Sequence, residues 1–211
     1  LQKDQPTLFL TDTITNVSQE PLTPDWGYHV TFRPEKDAEL IVPSKVIQNR
    51  GGEVIPPDHE KWQPSGEDRV RVEVGIIHKE QKVLPNALGD ADGVRSLLVY
   101  PDGTGIAVTI PPVPYFQTWF CAGGAHTQEF TYPDGTPVLL KNWDGQGIEF
   151  GASSLDHDGN VDSSVTYDPT LPAGESRVIK IQLEVLSSQD TAAREDEIKR
   201  YNHDRRTASA R

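Results

Sequence analysis

An all-β chain folded as an antiparallel β-sandwich, closed by a short C-terminal helix, is what this sequence predicts. Short β-rich runs recur along its 211 residues, and 17 Gly and 17 Pro punctuate them without clustering. Several runs alternate polar and apolar residues with a period of two, the pattern of a strand with one buried face. Regular spacing with a turn between successive strands leads to a sandwich or barrel rather than a helical or α/β fold.

Taken in order, Thr7 to Thr15 reads as a strand that stops at Asn16. Trp26 to Phe32 carries the next, and Glu39 to Val42 ends before Pro43. Arg69 to Val74 alternates charge and valine. Arg95–Tyr100 and Gly105–Ile110 flank Pro101-Asp102-Gly103-Thr104, whose turn chemistry predicts a hairpin. Tyr115 to Cys121 is a further strand, and Pro133-Asp134-Gly135-Thr136 marks a second hairpin. Leu171 to Glu175 is a turn that introduces the last strand, Arg177 to Leu186. Residues 1–187 are therefore expected to form one sandwich, and the charge-rich 188–211 a polar surface helix with a frayed tail.

Composition narrows the partners. Apolar residues make up 35% and charged residues 25%, as in a globular chain. No apolar run reaches the roughly 18 residues of a membrane span, and no signal peptide is evident. A net charge of −12 repels phosphate backbones, which argues against nucleic acid. A neutral small-molecule sugar is indifferent to that field. The lone Cys121 allows no internal disulfide and fits a reducing cytoplasm, the expected location. A nucleophilic role for it, with His126 nearby, is a weaker reading than a small buried hydrophobe. The chain begins at Leu1 and contains no Met, so its start is expected to reflect truncation or processing.

Two segments place an ionisable side chain among aromatic, apolar and glycine neighbours. One is Trp26-Gly27-Tyr28-His29-Val30-Thr31-Phe32; the other is Gly145-Gln146-Gly147-Ile148-Glu149-Phe150-Gly151. His29 and Glu149 brought into one cleft would make an acid–base pair. On the residues alone, a satisfied core histidine and a solvated glutamate are the favoured account. Asp156-His157-Asp158-Gly159-Asn160-Val161-Asp162 suggests a cation loop, but its glycine is misplaced for an EF-hand and no closing glutamate follows. An Asx-rich turn is the preferred reading. His59, His126 and His157 have no zinc spacing, and no metal or cofactor is expected.

The order of motifs resembles the aldose 1-epimerase (galactose mutarotase)-like superfamily, in its uncharacterised epimerase-like branch. Asp12-Thr13-Ile14-Thr15-Asn16 is similar to a D-x-(V/I)-T-N strand end, and Tyr28 to Phe32 to the Y-H-x-N-F segment after it. Ile41-Val42-Pro43-Ser44 matches a later apolar-Pro step, and Phe116-Gln117-Thr118-Trp119 the strand before the catalytic carboxylate. Gly147-Ile148-Glu149 resembles the G-(I/L/F)-E that carries it, and Leu171-Pro172-Ala173-Gly174-Glu175 the L-x-P-G-E turn. Thr31 departs from the usual Asn, Phe150 from a frequent Pro, and residues 126–142 look like an insertion.

That resemblance implies a sandwich of the galactose mutarotase-like super-sandwich type, of which this chain is similar to the C-terminal part. It implies an isomerase of carbohydrate metabolism that interconverts sugar anomers, with Glu149 as base and His29 as acid. Trp119, Gln117, His78, Arg33 and Tyr28 are the substrate-binding candidates, with Trp26 a further surface for a sugar ring. Two rivals stay open: a non-catalytic carbohydrate-binding sandwich, and an accessory domain of a larger carbohydrate-active enzyme. Half a super-sandwich leaves strand edges open, so pairing with an N-terminal half, a partner chain or another copy is expected.

Overall fold

The computed structural model describes residues 6–32, 35, 38–55, 72–131, 135–152 and 161–206. Among these described residues, eleven strands and one helix follow in sequence: β1 (Thr7–Thr15), β2 (Gly27–Phe32), β3 (Glu39–Ile41), β4 (Ser44–Asn49), β5 (Val72–Gln81), β6 (Val83–Leu84), β7 (Gly93–Val99), β8 (Gly105–Ile110), β9 (Tyr115–Thr131), β10 (Pro137–Gly151), β11 (Ser176–Leu186) and α1 (Ser188–Arg206). They form two antiparallel sheets. The first runs β1-β11-β8-β7-β3, with β6 also beside β7; the second runs β2-β10-β9-β5-β4. The expected antiparallel sandwich with a C-terminal helix is the fold observed.

Alternation decides what each face carries. In the second sheet, Phe32, Phe116, Ile148 and Phe150 point inward, where they meet Val94, Leu98, Val108, Ile110 and Ile181 of the first sheet. All nine are nearly inaccessible to water, and each contributes about 1.5–3 kcal/mol by leaving it. The predicted β7–β8 hairpin forms as its turn residues demand. Gly103 takes φ +83°, and the Asp102 side chain accepts hydrogen bonds from the Thr104 N–H and hydroxyl at 2.9 and 2.6 Å.

The strand expected at residues 69–74 extends to Gln81, and its first three residues lie outside the described set. β9 and β10 form a much longer hairpin than Tyr115 to Cys121 suggested. Its outer part pairs residues 126–131 with 137–143, with register shifts around Trp143. Nor is the polar C-terminal segment only a surface feature. Ser187 and Asp190 cap α1 reciprocally, and Ile198 packs on Leu97, Ala107 and Leu186 on the outer side of the first sheet. No helix among the described residues is long and apolar enough to cross a membrane.

Two of the sequence motifs turn out to be fasteners. Buried Asn16 donates through Nδ2 to the carbonyls of Glu20 and Leu171, both at 2.9 Å, and accepts from the Ser18 N–H at 2.9 Å. Its own N–H donates to Glu175 O and its carbonyl accepts from Gly174 N, both at 2.9 Å. The strand end after Asp12 and the turn before β11 are thus one clasp, made by opposite ends of the chain. Asp12 itself accepts a 2.5 Å hydrogen bond from the Tyr28 hydroxyl, which fastens β1 to β2 across the two sheets.

A polar strip crosses the inner face. His78, 7% exposed, meets the Ser44 hydroxyl through Nδ1 and the Thr118 hydroxyl through Nε2, each at 2.9 Å. Its ring lies 5.6 Å from that of Phe116. Burial drives its pKa from an ordinary 6.5 down to about 3, so the imidazole is neutral at pH 7.

Two measurements check these points. Asn16→Ala removes four side-chain hydrogen bonds, two donated and two accepted, and should cost about 2–3 kcal/mol in urea unfolding at pH 7. The unfolded chain protonates its histidine near pH 6.5 while folded His78 stays neutral, so stability is lost as pH falls from there toward about 3. The loss is at most about 1.4 kcal/mol per pH unit. His78→Gln, compared with the parent at pH 7 and pH 4, should flatten that limb; an unchanged difference between the two pH values would refute the assignment.

Candidate functional site

The outer face of the second sheet collects the chemistry. Antiparallel pairing sets Glu149 opposite His29 on one side and opposite Gln117 on the other. Gln117 in turn lies opposite Ile77, and Ile77 opposite Gln48. One row of side chains therefore crosses five strands: His29, Glu149, Gln117, Ile77, Gln48. In the next row, Gly147 lies between Thr31 and Trp119, and Gly75 is opposite Trp119. Residues far apart in sequence meet because all of them share one parity of the strand alternation.

Within that patch the polar atoms are connected. His29 Nε2 lies 3.1 Å from Glu149 Oε1. The other carboxylate oxygen, Oε2, accepts from Gln117 Nε2 at 2.7 Å. Gln117 Oε1 accepts from Arg50 Nε at 3.1 Å. On the far side of the imidazole, Nδ1 is 3.2 Å from the Thr31 hydroxyl, which can either donate or accept. Because a carboxylate can only accept, the contact sets the hydrogen on Nε2, and the Thr31 hydroxyl serves Nδ1 in either role.

Exposure is graded along the chain of contacts. Gln117 is buried, the Glu149 side chain is 19% exposed and that of His29 47%. The pair is open to a ligand from the His29 side. At this exposure it adds at most about 1 kcal/mol to stability, so its geometry matters more than its contribution to the fold.

Trp119 forms the wall. Its indole is 5% exposed and sits 4.8 Å from the His29 ring, tilted by 31°. Gly147 makes room for it. A Cβ there would run into the Val30 carbonyl and come within 2.9 Å of the indole. A side chain at Gly75 would likewise run into Arg50 Nε and lie 2.7 Å from Gln117 Oε1.

Of the residues singled out from sequence, His29, Glu149, Gln117 and Trp119 are brought together. Tyr28 and His78 are not, which corrects their assignment to the same surface. Both have the opposite parity and face the interior. Tyr28 stacks on Phe150 at 5.4 Å, and burial together with the Asp12 carboxylate pushes its phenol pKa well up. His78 has both ring nitrogens engaged by hydroxyls of the core. Trp26 donates to the Tyr167 hydroxyl at 2.9 Å and packs edge-on against Tyr28 and Tyr167. Arg33 lies outside the described residues.

Of the suspected cation loop, residues 156–160 also lie outside the described set. Asp162 is buried, and its oxygens accept from the Glu80 N–H at 2.5 Å and from Ser164 N and Oγ at 2.9 and 2.6 Å. The Asx-turn reading accounts for that residue.

Sequence reasoning missed Arg50 and the two glycines as site elements. Glycine interrupting an alternating strand, as in Val74-Gly75-Ile76, signals close approach of a neighbour. No local signal marks Arg50, because its place depends on how β4 pairs with β5.

No protein-family model and no curated protein match this sequence significantly. Solved structures share the fold, two of them as follows. A candidate aldose 1-epimerase from Klebsiella pneumoniae superposes with a TM-score of 0.61 at 17% identity, over 95% of this chain and 48% of its own. The Slr1438 protein of Synechocystis sp. PCC 6803 gives a TM-score of 0.55 at 14% identity, over 86% of this chain and 51% of its own. The chain thus spans about half the length of these structures. At such identities the likeness is one of fold: this is a β-sandwich of the galactose mutarotase-like type.

Proposed function

We propose that this sandwich carries the acid–base pair of an aldose 1-epimerase-like isomerase, which opens a sugar ring and recloses it on the other face. The observation that carries the reading is the 3.1 Å approach of His29 Nε2 to Glu149 Oε1 on an accessible sheet face. Glu149 takes the proton of the anomeric hydroxyl as the bond from C1 to the ring oxygen breaks, and His29 gives a proton to that oxygen. Rotation about C1–C2 and reversal of both transfers close the other anomer. The sugar's hemiacetal unit would enter between the two groups and replace their direct contact. Trp119, stacked against His29, would limit how far the imidazole can turn and offer its edge to the ring.

A second reading, a sugar-binding sandwich without turnover, draws on the position of His29. It lies on β2, an edge strand among the described residues, and its side chain is 47% exposed. The apolar residues of β1 at the same side of the sandwich, Leu8, Phe9 and Leu10, are 43%, 65% and 40% exposed. A further strand, from a preceding segment, another chain or a second copy, would cover this margin and add side chains to the site.

Anomeric exchange followed by NMR on a panel of free aldoses and sugar acids tests the proposal. Glu149→Gln keeps the shape of the side chain and removes the base, and should slow exchange by about a hundredfold or more with sugar affinity retained. An equal rate in the variant and the parent would rule out Glu149 as base. Sugar binding without exchange in the parent would favour the second reading.

A further inference from the structure

Both oxygens of the Glu149 carboxylate have distinct partners. One meets His29; the other accepts from the Gln117 amide, whose oxygen accepts from Arg50. The amide's orientation is dictated by charge, since a carboxylate can only accept and a guanidinium can only donate. An amide held between a cation and an anion is also polarised, which strengthens the hydrogen bond at each end.

Arg50 reaches Gln117 because β5 has no side chain at Gly75, where a Cβ would run into the guanidinium Nε. Arg50 is exposed and sits in the turn after β4, while Gln117 is buried. An exposed cation is thereby coupled to the carboxylate through a side chain that has no room to swing.

We propose that Arg50, acting through the Gln117 amide, is a positioning residue that holds the Glu149 carboxylate in the orientation facing His29. It touches no substrate atom; its effect is on where Glu149 Oε1 points. The role in turnover rests on the isomerase reading, whereas the coupling itself does not. Misorientation of a reacting group costs rate more than binding.

The test uses Arg50→Met, Arg50→Lys and Gly75→Ala with two readouts. In anomeric exchange, Arg50→Met should lower kcat about tenfold with KM within about twofold, and Arg50→Lys should recover part of the loss. In NMR, the Gln117 side-chain amide protons should be protected from solvent exchange in the parent. That protection should vanish in Glu149→Ala and weaken in Arg50→Met and Gly75→Ala. Arg50 is exposed, so its replacement leaves the core intact. An unchanged Gln117 amide in Arg50→Met overturns the proposal, as does an unchanged kcat in an active parent. An inactive parent whose amide still responds to Arg50 upholds the coupling and refutes only the isomerase reading.

Discussion

The pairing of β10 with β2 on one side and β9 on the other is the constraint on which the site depends. Antiparallel strands place partners directly opposite, with side chains on the same face, about 5 Å apart. Setting Glu149 opposite both His29 and Gln117 brings imidazole, carboxylate and amide together without any loop to arrange them. The same parity delivers Phe150, Ile148, Tyr28 and Phe116 to the core. Chemistry and stability are two faces of one ladder, so neither is set independently of the other.

The motifs that made the sequence recognisable divide along that line. His29, Gln117, Trp119 and Glu149 lie at the candidate site on the outer face. Asp12, Asn16, Tyr28 and the Leu171–Glu175 turn are fasteners, joined by hydrogen bonds between segments from opposite ends of the chain. Buried polar groups that clasp two segments tolerate little substitution, because each loss removes hydrogen bonds from both.

Much of the fold was legible because strand signals are local. Alternation, the Pro-Asp-Gly-Thr turn and the Leu-Pro-Ala-Gly-Glu turn each work within a few residues, and β1, β8 and β11 fall where those signals put them. The site was legible only in part. His29 and Glu149 stood out by their apolar surroundings, and Gln117 and Trp119 by their nearness to a recognisable strand. His78 and Tyr28 could not be sorted from them without knowing parity, since a histidine among apolar residues reads the same on either face. Arg50 was beyond reach because its partner is set by strand order across the sheet.

A strand has two faces and β2 has one neighbour among the described residues, so the candidate site depends on fidelity of registration. Slipping β2 by one residue along β10 would turn His29 into the hydrophobic interior and present Tyr28 or Val30 to solvent. An intermediate position does not exist, because the ladder advances in whole residues. The Tyr28–Asp12 and Trp26–Tyr167 hydrogen bonds, and the one from Ala152 N to Trp26 O at 3.0 Å, favour a single docking position of a short edge strand. The arrangement is digital: a molecule with β2 correctly seated has an imidazole beside the Glu149 carboxylate, and one with β2 shifted has none, even with the rest of its sandwich intact.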